Sequence, residues 1–157
     1  MGRAVRYKSA MSTTEHRRPR VGPGEPAGVT EAMIGQVVDT FYARVRQDEV
    51  LGPIFNARVD DWPEHLAKLK DFWSSVLLMT GRFKGQPMAV HAAIPNIDRA
   101  HFEHWLSMFG ETVDEVCPPD AAALFREKSA MIAESLQLGI AVSRGEIPPL
   151  RRNSARK

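Results

Sequence analysis

The chain has 157 residues, 43% hydrophobic and 25% charged, an ordinary composition for a single globular domain with its own core. No apolar run approaches the roughly 18 residues of a membrane span, and the basic first 28 residues lack the apolar stretch of a secretory signal, so Arg17-Arg18 is no export signal. The single cysteine, Cys117, excludes an internal disulfide and suits a reducing cytoplasm. Beside Pro118-Pro119 it reads as a packing residue at a helix end rather than a nucleophile.

The net charge of +2 is unevenly distributed. Residues 1–28 hold six Lys/Arg against two Asp/Glu, and residues 143–157 hold five against one. The stretch between holds ten against sixteen. Both ends read as basic, solvated, disordered extensions around a folded domain at 29–142. That acidic domain argues against a nucleic-acid-reading function, and no membrane partner is expected.

Within 29–142 every element reads as helix. Thr30 can cap a helix whose apolar face runs Met33, Val37, Val38, Phe41 and Val45, ending near Gln47-Asp48. Leu51-Gly52-Pro53-Ile54-Phe55-Asn56 reads as an apolar corner, because Gly and Pro oppose helix continuation. Asp61-x-x-Glu64 resembles a capping box with Pro63 in the first turn. Leu66, Leu69, Phe72, Trp73, Val76 and Leu77 then form a stripe that stops at Thr80-Gly81. A basic loop leads to a short apolar segment, Pro87–Pro95, carrying His91. Asp98 caps a helix with Phe102, Trp105, Leu106, Phe109, Val113 and Val116 inward. Asp120 opens the last helix, with Leu124, Phe125, Met131, Ile132, Leu136 and Leu138. Four substantial helices and one short one make a small all-α domain.

Two histidines stand in unlike settings. His91 lies on an apolar, proline-bounded segment with no acidic residue near in sequence to satisfy a buried imidazole; an iron ion would satisfy it. His65 lies at the edge of the apolar stripe, one turn before Leu69, where it can stand in solvent or face a pocket. Tyr42 and Trp105 each carry a polar tip that needs a partner if buried. Two imidazoles from separate helices, with aromatics on apolar faces, are what a haem pocket requires. His101-x-x-His104 has the spacing of a zinc pair, but no cysteine or acidic pair completes it, and both rings are expected to be partly exposed.

Several motifs occur together. Phe41-Tyr42, Leu51-Gly52-Pro53-Ile54-Phe55-Asn56, Trp62-x-x-His65, Phe72-Trp73, Gly85-Gln86-Pro87-x-x-x-His91 and Phe102-x-x-Trp105-Leu106 resemble the third group of bacterial truncated haemoglobins in order and spacing. The resemblance covers about residues 30–140. It implies a two-over-two helical sandwich around haem b. By position it makes His91 the proximal iron ligand and sets Phe55 on the haem face. Tyr42, His65 and Trp105 fall on the distal side with Leu69 beside them, and Phe41, Phe72 and Trp73 in the cavity wall or core. Arg82 and Lys84 are candidates for the haem propionates. O2, NO, CO or peroxide would be the ligands, and a polar distal pocket suits NO dioxygenation or peroxide handling, with an outside reductase, better than oxygen transport. Two rivals come from other classes: a haem-free helical interaction module, and a non-haem metal protein using His65, His91, His101 and His104.

Overall fold

Residues 22–94 and 96–146 are described by the computed structural model of the chain, and among them six helices form. Helix α1 (Glu31–Val45) begins as its cap dictates, with the Thr30 side chain accepting the Met33 N–H. It buries Ile34, Val37, Val38, Phe41, Tyr42 and Val45 at helical spacing. Helix α3 (Trp62–Leu78) starts where Asp61 accepts the Glu64 N–H and carries Pro63 in its first turn. It stops at Met79, which takes a left-handed φ of 56°, two residues before the glycine read as its end. Helix α4 (Pro87–Ala92) is the short segment carrying His91. Helix α5 (Arg99–Val116) has a reciprocal capping box between Asp98 and His101, and α6 (Pro119–Ser143) opens on the second proline of the pair rather than on Asp120, which lies in its first turn.

The expected corner at 51–56 is instead helix α2 (Leu51–Arg58). Gly52 and Pro53 sit in its first turn, where the missing proline N–H has no intrahelical partner to lose. The Asp48 carboxylate accepts the Val50 and Leu51 N–H groups and so starts the helix from outside its own span.

Helix α1 packs on α3 and on α5, α5 packs on α6, and α4 lies against α6. Two helix pairs, α1 with α3 and α5 with α6, thus cross in the two-over-two arrangement. An aromatic stack joins them. Phe109 lies between Trp73, at 5.4 Å and 12°, and Trp105, at 5.0 Å and 11°, with Phe41 and Phe125 closing its sides. Each such buried ring contributes about 1.5–3 kcal/mol by burial, and favourable ring pairs add ~0.5–1.5 kcal/mol.

Described, hydrogen-bonded chain extends past both boundaries drawn from charge, back to residue 22 and on to residue 146. Residues 22–28 form turns against α3: the Gly24 N–H donates to the Leu77 carbonyl at 2.7 Å, and the Val29 N–H to the Gly24 carbonyl at 2.9 Å. A Cβ on Gly22 would meet the Leu77 oxygen at 2.2 Å, so this close approach requires glycine. At the other end the Glu146 N–H reaches the Ala141 carbonyl and the Gly145 N–H the Val142 carbonyl. With Gly145 at φ 80°, this is a Schellman cap. Residues 1–21 and 147–157 of the two extensions lie outside the described residues. The turns at 22–28 can be tested with two shortened chains, one starting at residue 22 and one at residue 29. The second loses about 1 kcal/mol of turn bonding, or about 3–6 °C in Tm. Equal melting of the two would show that the turns contribute nothing.

Candidate functional site

Tyr42 is almost fully buried on α1, and four aromatic neighbours surround its ring. Phe41 is at 4.7 Å, Phe55 at 5.7 Å, His65 at 6.3 Å and Trp62 at 6.4 Å. The elements supply these rings for local reasons. α2 holds Phe55 half-buried beside α1, and the first turn of α3 presents Trp62 and His65 edge to face at 5.5 Å. α5 brings in Trp105, whose ring meets Phe41 at 5.2 Å. Burial pushes the Tyr42 phenol far above its ordinary value, and its hydrogen-bonding neighbour Trp105 pulls the other way without cancelling the effect. The phenol therefore keeps its proton at any physiological pH and remains a donor.

His65 is half-buried, and its pKa lies below the ordinary 6.5. Burial is the main cause, followed by the positive charges of Lys68 and of His91. The influence of His91 places the two histidines within electrostatic reach of each other. A histidine with a lowered folded pKa costs the fold stability once protonated. That cost is absent well above pH 6.5, sets in as pH falls below it, and is complete below the lowered value. His65→Leu is thus expected to melt with a flatter profile between pH 7.5 and 5 than the parent. Superimposable profiles would put His65 in solvent.

On α4, His91 Nδ1 lies 2.7 Å from the Pro87 carbonyl oxygen. A carbonyl only accepts, so in the neutral ring Nδ1 carries the hydrogen and Nε2 keeps its lone pair. A hydrogen bond to the other ring nitrogen is the usual way a metal-ligating histidine is oriented. Phe55, Trp62, Leu66, Leu69, Phe72, Val76 and Trp105 are partly exposed although packed on the core. A wall of large apolar groups, one imidazole with a free Nε2 and a buried protonated phenol suit the flat apolar body and axial metal of a haem.

Of the residues for which cavity wall or core was left open, Trp73 is 2% exposed and Phe41 fully buried, so both belong to the core beneath that wall. Phe72 meets Phe83 edge to face at 5.1 Å and closes the α3 side. Arg82 pairs with Glu31, which also accepts from Ser74, so its guanidinium is engaged on α1; Lys84 is exposed. The histidine pair on α5 is taken up structurally. His101 accepts the Asp98 N–H, and His104 Nε2 meets Asp48 at 2.8 Å. Burial works to raise the Asp48 pKa, but the Leu51 N–H, the His104 ring and the Val50 N–H together hold it below its usual range. Among the described residues no three of His, Cys, Asp and Glu cluster as a metal site. Cys117 ends α5 as a packed residue, its thiol pushed up by burial and then by Asp114.

Sequence reasoning passed over several contributors. Trp62 was part of a motif but received no role, and Arg46 lies over its ring at 4.6 Å, a cation–π contact that ties the end of α1 to the start of α3. Arg44 bonds Thr112 and Glu115, fastening α1 to α5. These partners are 16 to 71 positions away, and no local signal marks them.

Residues 25–134 match the bacterial-like globin family. Over 113 residues the chain is 34% identical to a group 3 truncated haemoglobin of Campylobacter jejuni, covering 69% of this chain and 89% of that protein. The crystal structure of a group III truncated haemoglobin from the same organism superposes with a TM-score of 0.67 at 34% identity, covering 71% of this chain and 91% of that one. A group II truncated haemoglobin from Bacillus anthracis superposes at 0.62 with 27% identity, over 76% and 92% of the two chains. A truncated oxygen-avid haemoglobin from Bacillus subtilis does so at 0.60 with 28% identity, over 73% and 98%.

Proposed function

The chain belongs to the bacterial-like globin family, among truncated haemoglobins of the third group, and from that premise we propose that it binds haem b with His91 Nε2 as proximal ligand. Bound haem would supply an iron that His91 would hold and that could take a small diatomic ligand. Pro87 fixes the tautomer and direction of the His91 ring. Phe55 and Leu69 line the haem cavity, and Phe72 closes it. Phe41 and Trp73 support that wall from the core.

Tyr42, His65 and Trp105 form the distal side. Tyr42 offers a phenol proton that burial prevents from leaving. Trp105 supports the phenol oxygen, which leaves the Tyr42 hydrogen free to turn toward a ligand. His65, kept neutral, offers one donor and one acceptor, and Trp62 backs its ring. The single observation carrying this reading is the buried Tyr42 phenol, bonded to Trp105 and set among aromatic rings with the His65 ring 6.3 Å away. Such a pocket holds O2 firmly and suits NO dioxygenation, in which NO and O2 with one electron from an outside reductase become nitrate, or peroxide reduction. It suits oxygen delivery less well.

The deciding experiment is the absorption spectrum of the purified protein, reduced and CO-bound, followed by mixing of its oxygenated form with NO. A Soret band, a CO shift and stoichiometric nitrate support the reading. Absence of porphyrin ends it, and haem without nitrate production or peroxide consumption removes the redox role.

A further inference from the structure

A six-residue helix such as α4 is too short to hold itself in water, and three backbone carbonyls just beyond its end, those of Ala93, Ile94 and Ile97, lie outside its own hydrogen bonding. Two arginines from distant elements reach them. The Arg144 guanidinium donates from Nη1 to the Ile97 carbonyl and from Nη2 to the Ile94 carbonyl, both at 3.1 Å. Arg58, the last residue of α2, donates from Nη2 to the Ala93 carbonyl at 3.0 Å. The turn so gripped contains Asn96 in a left-handed conformation, φ 64°, which asparagine tolerates better than most residues but which still needs outside support.

Arg144 is itself held in place. It follows the last turn of α6, and the Schellman cap through Gly145 and Glu146 fixes its backbone. Beneath it Ile97, Phe102, Ala133 and Ile140 form a small core against which Ala92 and Ile94 pack. One fork thus bridges two carbonyls three residues apart, at the negative end of a helix dipole where a cation is favoured. Ile94 in turn donates its N–H to the His91 carbonyl at 3.1 Å, so the grip passes directly to the ligand residue.

From this geometry we infer that Arg144, assisted by Arg58, is a positioning residue for His91, so that the end of α6 belongs to the proximal side of the site. The inference rests on the haem-binding reading for its consequence, but not for its structural content. Arg144 lies beyond residue 134, where the family match ends.

Arg144→Met keeps the stem and removes the donors; Arg144→Lys keeps the charge but cannot bridge both carbonyls. In haem-free protein, amide exchange at Ala93 and Ile94 is expected to quicken by about threefold to tenfold in Arg144→Met, the factor of one modest hydrogen bond, with amides of α1 unchanged. In haem-loaded protein, the iron–histidine stretching band of the reduced form should shift or broaden, and haem transfer to an acceptor apoglobin should speed by a similar factor. Arg144→Lys should fall between. If Arg144→Met does not fold, the Lys variant carries the same comparison alone. Unchanged local exchange, or faster exchange with an unaltered iron–histidine band and haem transfer, overturns the inference. A parent protein that takes up no haem removes the proposed function, while the exchange comparison still decides whether Arg144 orders this segment.

Discussion

His91→Ala is expected to lose stable haem binding, retaining haem more than about a hundredfold less well than the parent. Removing only an outer-shell partner of a metal ligand already costs ~10–100-fold, and here the ligand itself goes. The fold should survive, because His91 is only partly buried on a short helix at the edge of the sandwich, outside the aromatic stack. His91→Gly is the sharper version. It opens space for added imidazole, which should restore the parent spectrum if the lost interaction was axial ligation. His65→Ala should keep its haem, separating the two histidines. Unchanged reduced and CO spectra in His91→Ala would refute the proximal assignment.

Tyr42→Phe removes one oxygen and almost no volume. The four rings around it should repack little, while the donor disappears. Hydrogen bonds to a strongly polar acceptor are worth about 1.5–3 kcal/mol, so O2 release measured by stopped flow should accelerate by roughly tenfold or more. CO release should change far less, since bound CO carries little charge. Trp105→Phe also takes away the support of the phenol oxygen, but it leaves a gap against Phe109 and Phe41, mixing a lost bond with a cavity. The two residues touch the same group, so the double variant should be non-additive. O2 release unaltered in both single variants and in the double would defeat the polar-pocket mechanism while leaving the globin fold intact.

Much of this protein was legible in the sequence because the signals are local. Thr30, Asp61 and Asp98 cap the helices they were expected to cap, since a cap involves residues three positions apart. The apolar faces of α1, α3 and α5 follow from helical spacing. The ordered motifs gave the family and with it the fold.

Other features depended on where distant segments meet. Gly52-Pro53 opens a helix rather than a corner, because Asp48 supplies the cap and α1 the surface. For Trp73 the sequence left cavity wall or core open, and it lies in the core because Phe109, 36 positions away, stacks on it. Residues 22–28 look like tail by charge and pack like domain, through a backbone bond to Leu77 that no side-chain pattern encodes. Arg144 falls in a basic terminus whose composition says solvent, yet its fork finds two carbonyls about fifty residues away. Periodicity and capping are properties of neighbours in the chain and can be read from it. Which side of a helix meets which partner, and where a long charged side chain ends, are set only when the helices cross.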